Sequence, residues 1–247
     1  MGFLLYSIGD LAAAEDQLAR CSSLAAELGS SRQEALATFP LALIKYLRGD
    51  LEEAERLADQ ARAWLERTGD TYIQIQNFVA LAQYALARDD ALLAEERLRE
   101  ALPLALAEGS WLAGDIYRWL TEALVRQGRV DDAAELVEFA ARGVPTEPPH
   151  LRAAILLGEA AVATAKRDSA AAIERYEEAL GVFEDLEMQI DLSVGRITFA
   201  RALRELGQVE RAREMLELAR ESCSSMGATG LAAEVERELA LVGSRAG

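Results

Sequence analysis

The sequence is poor in the residues on which metal sites and many catalytic sites depend. It contains one histidine and two cysteines among 247 residues. A histidine-rich metal site needs several imidazoles and a thiolate zinc site needs paired cysteines, so His150, Cys21 and Cys223 predict neither. A Ser-His-Asp or Cys-His arrangement would depend on His150 alone, which follows Pro148-Pro149 and is expected on the surface. We therefore predict no catalytic residue, no metal site, no cofactor and no enzyme.

Other functional signals are missing as well. The glycine-rich phosphate loops GxxxxGK[ST] and GxGxxG do not occur. No apolar run reaches the roughly 18 residues of a membrane-spanning helix, and the N-terminus lacks the basic region of a secretory signal peptide. Without a disulfide framework, the two cysteines favour a reducing compartment. The prediction is a cytoplasmic protein that does not enter a membrane.

The charge balance is strongly one-sided. There are 26 basic and 42 acidic residues, which gives a net charge of −16. Phosphate would be repelled, which argues against binding of nucleic acid or anionic membranes, and no helix has the basic face of a DNA reader. We interpret the acidic surface as solvated charge that keeps the protein soluble, with attraction of a basic partner as the alternative.

What the sequence has in abundance is small and apolar residues in a helical pattern. Hydrophobic residues make up 51% of the chain but aromatic residues only 6%, so alanine and leucine dominate, as is typical of closely packed helices. A turn signal recurs at intervals of 39 or 40 residues, as in Arg48-Gly49-Asp50 and Leu206-Gly207-Gln208. The turns centre on positions 9, 49, 89, 128, 168 and 207.

Small residues keep a fixed distance from these turns. Position +5 holds Ala14, Ala54, Ala94, Ala133, Ile173 and Ala212, and position +12 holds Cys21, Ala61, Ala101, Ala140, Leu180 and Ala219. Small side chains allow two antiparallel helices to touch and the next pair to stack on them. In the fifth repeat Ala172 and Ala179 lie one residue earlier, which suggests that its phase slips by one. The pattern predicts helices at about 1–8, 10–28, 31–48, 50–68, 71–88, 90–108, 111–127, 130–142, 148–167, 169–187, 189–206, 208–226 and 229–242.

The turns and their flanks resemble the tetratricopeptide repeat. The stretches from Tyr46 to Ala54 and from Leu206 to Ala212 carry the resemblance. It implies an all-α, right-handed superhelical solenoid of about six helix-turn-helix repeats, with about 13 antiparallel helices. The period near 40 exceeds the common period of about 34. It is similar to the long-repeat variety in the sensor domains of bacterial MalT-like LuxR-type regulators and related signalling ATPases.

One solenoid domain is expected over residues 1–247. The proline-rich segment 143–149 is interpreted as a long connection, with a hinge or a domain boundary as the alternative, because the period continues through it. A helix at about 229–242 would cap the last repeat. The chain begins inside a repeat, so we expect either a fragment of a longer protein or an N-terminal repeat whose apolar face promotes self-association.

The resemblance implies that the first helix of each pair lines a concave groove. Applying its inward positions gives an apolar N-terminal half and a locally basic C-terminal half. We hypothesise that the groove takes an extended peptide or helix, whose acidic group or C-terminal carboxylate is held by arginines. The alternative is that these arginines form structural ion pairs with nearby carboxylates. Trp111 and Trp119 are expected to pack rather than to stack on a ligand. The candidate residues are Phe39, Tyr46, Gln76, Gln83, Asp115, Arg118, Glu122, Arg126, Lys166, Arg201 and Arg204.

Three classes of function remain open at this point. The leading one is a module that binds a protein, a peptide or another ligand, as the sensor or partner-binding domain of a bacterial transcriptional or signalling regulator. The second is a stand-alone scaffold or assembly adaptor that forms homo-oligomers through its N-terminal repeat. The third, an enzyme built on a helical solenoid, needs a cluster of perturbed polar groups, and the sequence offers none beyond the arginines.

Overall fold

The computed structural model describes residues 2–109, 113–144 and 147–243, and in this part of the chain all regular structure is helical. The predicted all-α solenoid is confirmed, and every helix boundary within the described residues lies within two residues of its predicted position. The thirteen helices are α1 Gly2–Ser7, α2 Leu11–Glu27, α3 Ser31–Leu47, α4 Leu51–Thr68, α5 Thr71–Ala87, α6 Ala91–Glu108, α7 Ala113–Arg126, α8 Val130–Gly143, α9 Pro149–Ala165, α10 Ser169–Asp185, α11 Gln189–Glu205, α12 Val209–Met226 and α13 Thr229–Gly243.

The turns within the hairpins have one backbone conformation, which agrees with the suggested one-residue slip of the fifth repeat and moves its turn from position 168 to 167. Positions 9, 49, 89, 128 and 207 all have positive φ, between 62° and 87°. In the fifth repeat the positive φ falls on Arg167, at 62°, and not on Asp168. Asp168 is instead the N-cap of α10, and its side chain accepts a hydrogen bond from the backbone N–H of Ala171. The fifth repeat is therefore shifted by one residue.

The buried alanines follow the corrected register. Ala172 and Ala179 have no exposed surface, like the alanines at the same positions of most other repeats, whereas Ile173 is half-buried. Small side chains at these positions let the helices approach closely. Cys21 is the exception, because its position on α2 is exposed.

Aspartates start several of the helices. Asp10, Asp50, Asp70 and Asp90 each accept a hydrogen bond from the backbone N–H three residues ahead, at 3.0–3.4 Å. These contacts satisfy free N–H groups of the first turn. The N-cap of α3, Ser30, makes no such side-chain hydrogen bond.

The solenoid closes on itself. The turn 48–50 after α3 touches the first residues of α13, Thr229 and Gly230, and we call this contact the seam. There the Thr229 hydroxyl donates a hydrogen bond to the Arg48 carbonyl at 3.0 Å, and the Gly230 backbone lies against that of Gly49. Residues of α2 and α3 also share one hydrophobic cluster with residues of α9 to α13. The last repeats thus cover part of the N-terminal repeat, including Leu11 and Leu18, whereas Leu24 and Leu28 stay exposed.

The proline-rich connection lies partly outside the described residues. Residues 145 and 146 form a gap in the described part of this connection. Met1, Trp111 and the last four residues also lie outside the described residues. One hydrophobic cluster includes Val137 and Val144 before the gap and Leu151 and Ile155 after it, so α8 and α9 pack together. Among the described residues, no helix has the length and the apolar character to cross a bilayer.

Candidate ligand-binding cavity

The inner helices surround a cavity of about 710 Å³. Its wall comes mainly from α3, α5, α7, α9, α11 and α13, with Tyr176 reaching in from α10. The same positions recur on successive helices: counted back from each turn, position −6 supplies Gln83, Glu122, Ala161 and Arg201. The regular repeat thus brings residues that are far apart in sequence to one wall.

The cavity has a buried floor and an exposed mouth. Arg118, Leu157, Tyr176 and Ile197 are all less than 10% exposed and form the floor. The exposed residues Asp89, Arg167, Glu205 and Arg237 lie at the mouth, three of them at the C-terminal ends of inner helices. A ligand that enters from the mouth therefore passes charged groups before it reaches an apolar floor with a single guanidinium.

Of the candidate residues, six lie on this wall: Tyr46, Gln83, Arg118, Glu122, Arg126 and Arg201. The other five, Phe39, Gln76, Asp115, Lys166 and Arg204, do not line the cavity. Phe39 is 3% exposed and packs in a hydrophobic cluster with Ala42 and Leu57. Gln76 and Asp115 lie near the N-terminal ends of α5 and α7, beyond the end of the cavity. Whether the six wall residues bind a ligand stays a prediction.

The register shift explains why Lys166 is misplaced. With the fifth turn at position 167, the inward residues of α9 are Leu157, Ala161, Thr164 and Ala165. Lys166 points to a separate groove beside Val137 and Val162. The wall contributed by α9 is therefore apolar or neutral, not basic.

Three of the candidate arginines form structural ion pairs. Arg126 lies 2.7 Å from Glu122 and also donates to the Leu86 carbonyl at 2.9 Å. On the other side of the cavity, Arg201 binds both Glu234 and Glu238 of α13 at 2.7 Å, and Arg204 lies 3.4 Å from Glu238. Burial opposes the charge of Arg201, but the two carboxylates outweigh it and raise the pKa of Arg201.

Arg118 is held differently. It is 6% exposed, its guanidinium lies over the Trp119 ring at 4.3 Å, and its closest carboxylate is that of Asp191, at 3.9 Å. No hydrogen bond to Arg118 occurs among the described residues. Burial raises the pKa of Asp191 to about 6, Arg118 opposes the rise, and Asp115 adds to it. The positive charge on the floor is thus incompletely neutralised, which suits an anionic group of a ligand.

Aromatic residues complete the wall, and sequence reasoning missed some of them. Tyr176 stacks on Phe199 with ring centroids 4.8 Å apart, and Trp119 is half-buried beside Arg118. Tyr46 packs on Tyr84 at 4.9 Å, and burial raises the pKa of Tyr46 to about 12. Tyr176 was missed because it belongs to an outer helix, which the groove pattern ignores. Trp119 was expected to pack, and it does lie against the Arg118 guanidinium, but it also lines the cavity.

Comparisons with known proteins support the fold. No known family profile matches the chain, and no curated protein matches its sequence. A Rap protein complexed with competence and sporulation factor has a TM-score of 0.64 at 14% identity, over 99% of this chain and 73% of that one. BtubC from P. vanneervenii gives 0.53 at 18% identity, over 88% and 91%.

A third similar structure is a signal transduction ATPase with numerous domains and a tetratricopeptide repeat sensor, from Pyrococcus horikoshii. Its TM-score is 0.48 at 16% identity, over 87% of this chain and 33% of that one. The likeness to the Rap protein and to BtubC shows a shared helical-repeat fold. Together with the period of about 40 residues and the buried alanines, it makes this chain a tetratricopeptide-like solenoid.

Proposed function

We propose that this solenoid binds a short anionic segment of a protein or peptide partner in its central cavity. The observation that carries the proposal is the Arg118 guanidinium, which lines the cavity floor without a hydrogen bond among the described residues. Its closest carboxylate is that of Asp191, at 3.9 Å, so an anionic group in the cavity could supply the charge-assisted hydrogen bonds that Arg118 lacks. The chain would act by binding, not by catalysis.

The shape of the cavity narrows the kind of ligand. A volume of about 710 Å³ falls within the range of roughly 300–1,000 Å³ that is typical of small-ligand sites. It suits the end of a peptide better than a folded domain or a long helix. Leu157 and Ile197 on the floor offer apolar surface for a side chain next to the anionic group. A free C-terminal carboxylate with an apolar last residue combines both features.

The biological setting is proposed from resemblance. The long repeat is similar to the sensor domains of MalT-like LuxR-type regulators, so we infer a sensor or partner-binding role in a cytoplasmic bacterial transcriptional or signalling regulator. The Rap structure, which shares the fold, contains competence and sporulation factor, and this supports ligand binding by such a stack. The stand-alone scaffold loses its main support, because the last repeats cover part of the N-terminal repeat.

The test uses two pools of N-acetylated short peptides that end in Leu or Phe. One pool has free C-terminal carboxylates and the other has C-terminal amides, and captured peptides are quantified by mass spectrometry. We expect the wild-type chain to prefer the free acids and Arg118→Gln to weaken their capture about 10- to 100-fold. That is the range expected for hydrogen bonds to charged groups, about 1.5–3 kcal/mol.

The matched control is Arg213→Gln, because Arg213 is exposed on α12 and does not line the cavity. Its capture of peptides should equal that of the wild type. Circular dichroism confirms that each variant is folded. If the wild type captures neither pool, the proposal of peptide binding is wrong. If it captures acids and amides equally, and Arg118→Gln changes nothing, the anion-binding role of Arg118 is wrong.

A further inference from the structure

The seam is the one junction of the closed stack that the chain does not connect covalently. Each of the other repeats is joined to the next by a short connection, whereas α3 and α13 are far apart in sequence. Their contact rests on the Thr229–Arg48 hydrogen bond and on the approach of Gly230 to Gly49. Across the same boundary, Met226 packs against Gly9.

Ion pairs reinforce both sides of the seam but do not cross it. On one side Glu15 of α2 binds Lys45 at 2.8 Å and also pairs with Arg48. On the other side Arg201 binds Glu234 and Glu238 at 2.7 Å. In the described part of the chain, no ion pair joins the first four helices to the last five. Each side thus has ion pairs of its own, whereas the two sides meet through the hydrophobic cluster, the Thr229–Arg48 hydrogen bond and the approach of Gly230 to Gly49.

The seam also forms part of the cavity wall. Tyr46 stands on its α3 side, and Leu231 and Glu234 stand on its α13 side, and all three line the cavity. Tyr46 is close enough to Glu234 that this charge contributes to the raised pKa of Tyr46. Separation of α3 from α13 would therefore widen the cavity along its whole length and expose the floor.

We propose that the stack opens and recloses at this seam, and that the seam is the gate through which ligand access to the cavity is regulated. This gating role rests on the proposed function, whereas the opening itself is a property of the chain alone. Glycine is required at position 230 because an added Cβ would lie 2.2 Å from the Gly49 nitrogen and 2.5 Å from its Cα. Backbone atoms cannot give way as a flexible side chain can, so any larger residue holds the seam apart.

The experiment measures how fast a thiol on the cavity wall reacts with a bulky maleimide. The reference protein carries Thr198→Cys, which places a thiol on the half-buried wall, and Cys21→Ser, which removes the exposed native cysteine. Cys223 stays, because it is buried and burial raises its pKa to about 11. The reagent is fluorescein-5-maleimide, and no ligand is present.

Gly230→Ala is added to the reference to open the seam. We expect its labelling rate to rise at least about 10-fold, as for a shift of the opening equilibrium by about 1.4 kcal/mol. The matched control is Gly181→Ala, another glycine-to-alanine change within a helix, where an added Cβ meets nothing within 4 Å. Its labelling rate should equal that of the reference.

A second, milder variant keeps the test decisive if Gly230→Ala fails to fold. Thr229→Val removes only the hydroxyl that donates to Arg48, and loss of one hydrogen bond of about 1 kcal/mol should speed labelling about 5-fold. Unchanged labelling in every folded seam variant would overturn the gate. That result would leave peptide capture by the unmodified chain untouched, and a failure of capture would not alter the labelling rates, so the two proposals fail separately.

Discussion

The guanidinium of Arg201 lies 2.7 Å from the carboxylate of Glu238, and this pair ties α11 to α13 beside the cavity. Glu238 is only 8% exposed, and its carboxylate accepts a hydrogen bond from that guanidinium. Arg204 approaches the same carboxylate at 3.4 Å. The two arginines that were expected to hold a ligand are thus engaged in holding the last helix.

Charge reversal at these arginines should weaken the fold before it affects any ligand. In Arg201→Glu with Arg204→Glu, two new carboxylates face Glu234 and Glu238, and the buried charge of Glu238 loses its partners. Since the side chain of Arg201 is 31% exposed, we expect a loss of about 2–4 kcal/mol in the free energy of unfolding. Urea denaturation measures it, with Arg213→Glu as the exposed control. Unchanged stability together with lost peptide binding would instead favour direct ligand contact.

Asp191 should make the protein more stable as the pH falls from 7 to 5. Burial raises the pKa of Asp191 from 3.8 to about 6 in the folded state, so the folded state binds this proton more tightly than the unfolded state does. The stabilisation is complete below pH 3.8 and is lost as the pH rises through about 6. Denaturation curves between pH 5 and 7 should show the trend, and Asp191→Asn should flatten it. A wild-type profile that matches the variant would contradict the prediction.

Two helical glycines should respond in opposite ways to substitution. A Cβ on Gly158 would lie 3.0 Å from Val137 Cγ2 and 3.5 Å from the Thr121 hydroxyl oxygen, so Gly158→Val crowds the contact between α7 and α9. We expect a loss of about 1–3 kcal/mol. Gly181→Ala has open space around it and should gain about 0.5–1 kcal/mol from helix propensity. Thermal unfolding of both variants beside the wild type decides the signs.

The isolated chain should be a monomer. Residues of the last repeats share a hydrophobic cluster with Leu11, Leu18 and Leu47 of the first ones, which removes much of the apolar surface that would drive association. Light scattering coupled to size exclusion should give a mass of about 26.9 kDa at all concentrations tested. A concentration-dependent dimer would revive the self-associating scaffold.

The sequence predicted the helices well because their signals are local. Alanines at fixed distances from the turns are buried, for example Ala54, Ala94 and Ala212 with no exposed surface. The groove positions of the fifth repeat were counted from Asp168, so the prediction of Lys166 on the wall is off by one residue. A turn at Arg167 and a turn at Asp168 both give a spacing of 39 or 40 residues to the neighbouring turns. The residue with positive φ in this turn is Arg167 and not a glycine, so the sequence does not mark the turn position.

The cavity was only partly predictable because its geometry accumulates over several repeats. The inward positions on each helix are implied by the resemblance to the tetratricopeptide repeat, and they led to Tyr46, Glu122 and Arg201 on the wall. The closeness of Gly49 to Gly230 depends instead on the summed rotation of every hairpin between them, which no local pattern encodes. For the same reason, the carboxylates of α13 that engage Arg201 could not be foreseen.

The contact between Thr229 and Arg48 changes how this molecule should come apart. In an open array of repeats, each terminal unit has one neighbour, so the array frays inward and its middle outlasts its tips. Here the first and last hairpins are neighbours of each other, and neither is a tip. While the seam is closed, amide hydrogens in α2 and α12 should then exchange nearly as slowly as those in α7. Opening of the seam would leave these helices at two free ends of the stack, where exchange is faster.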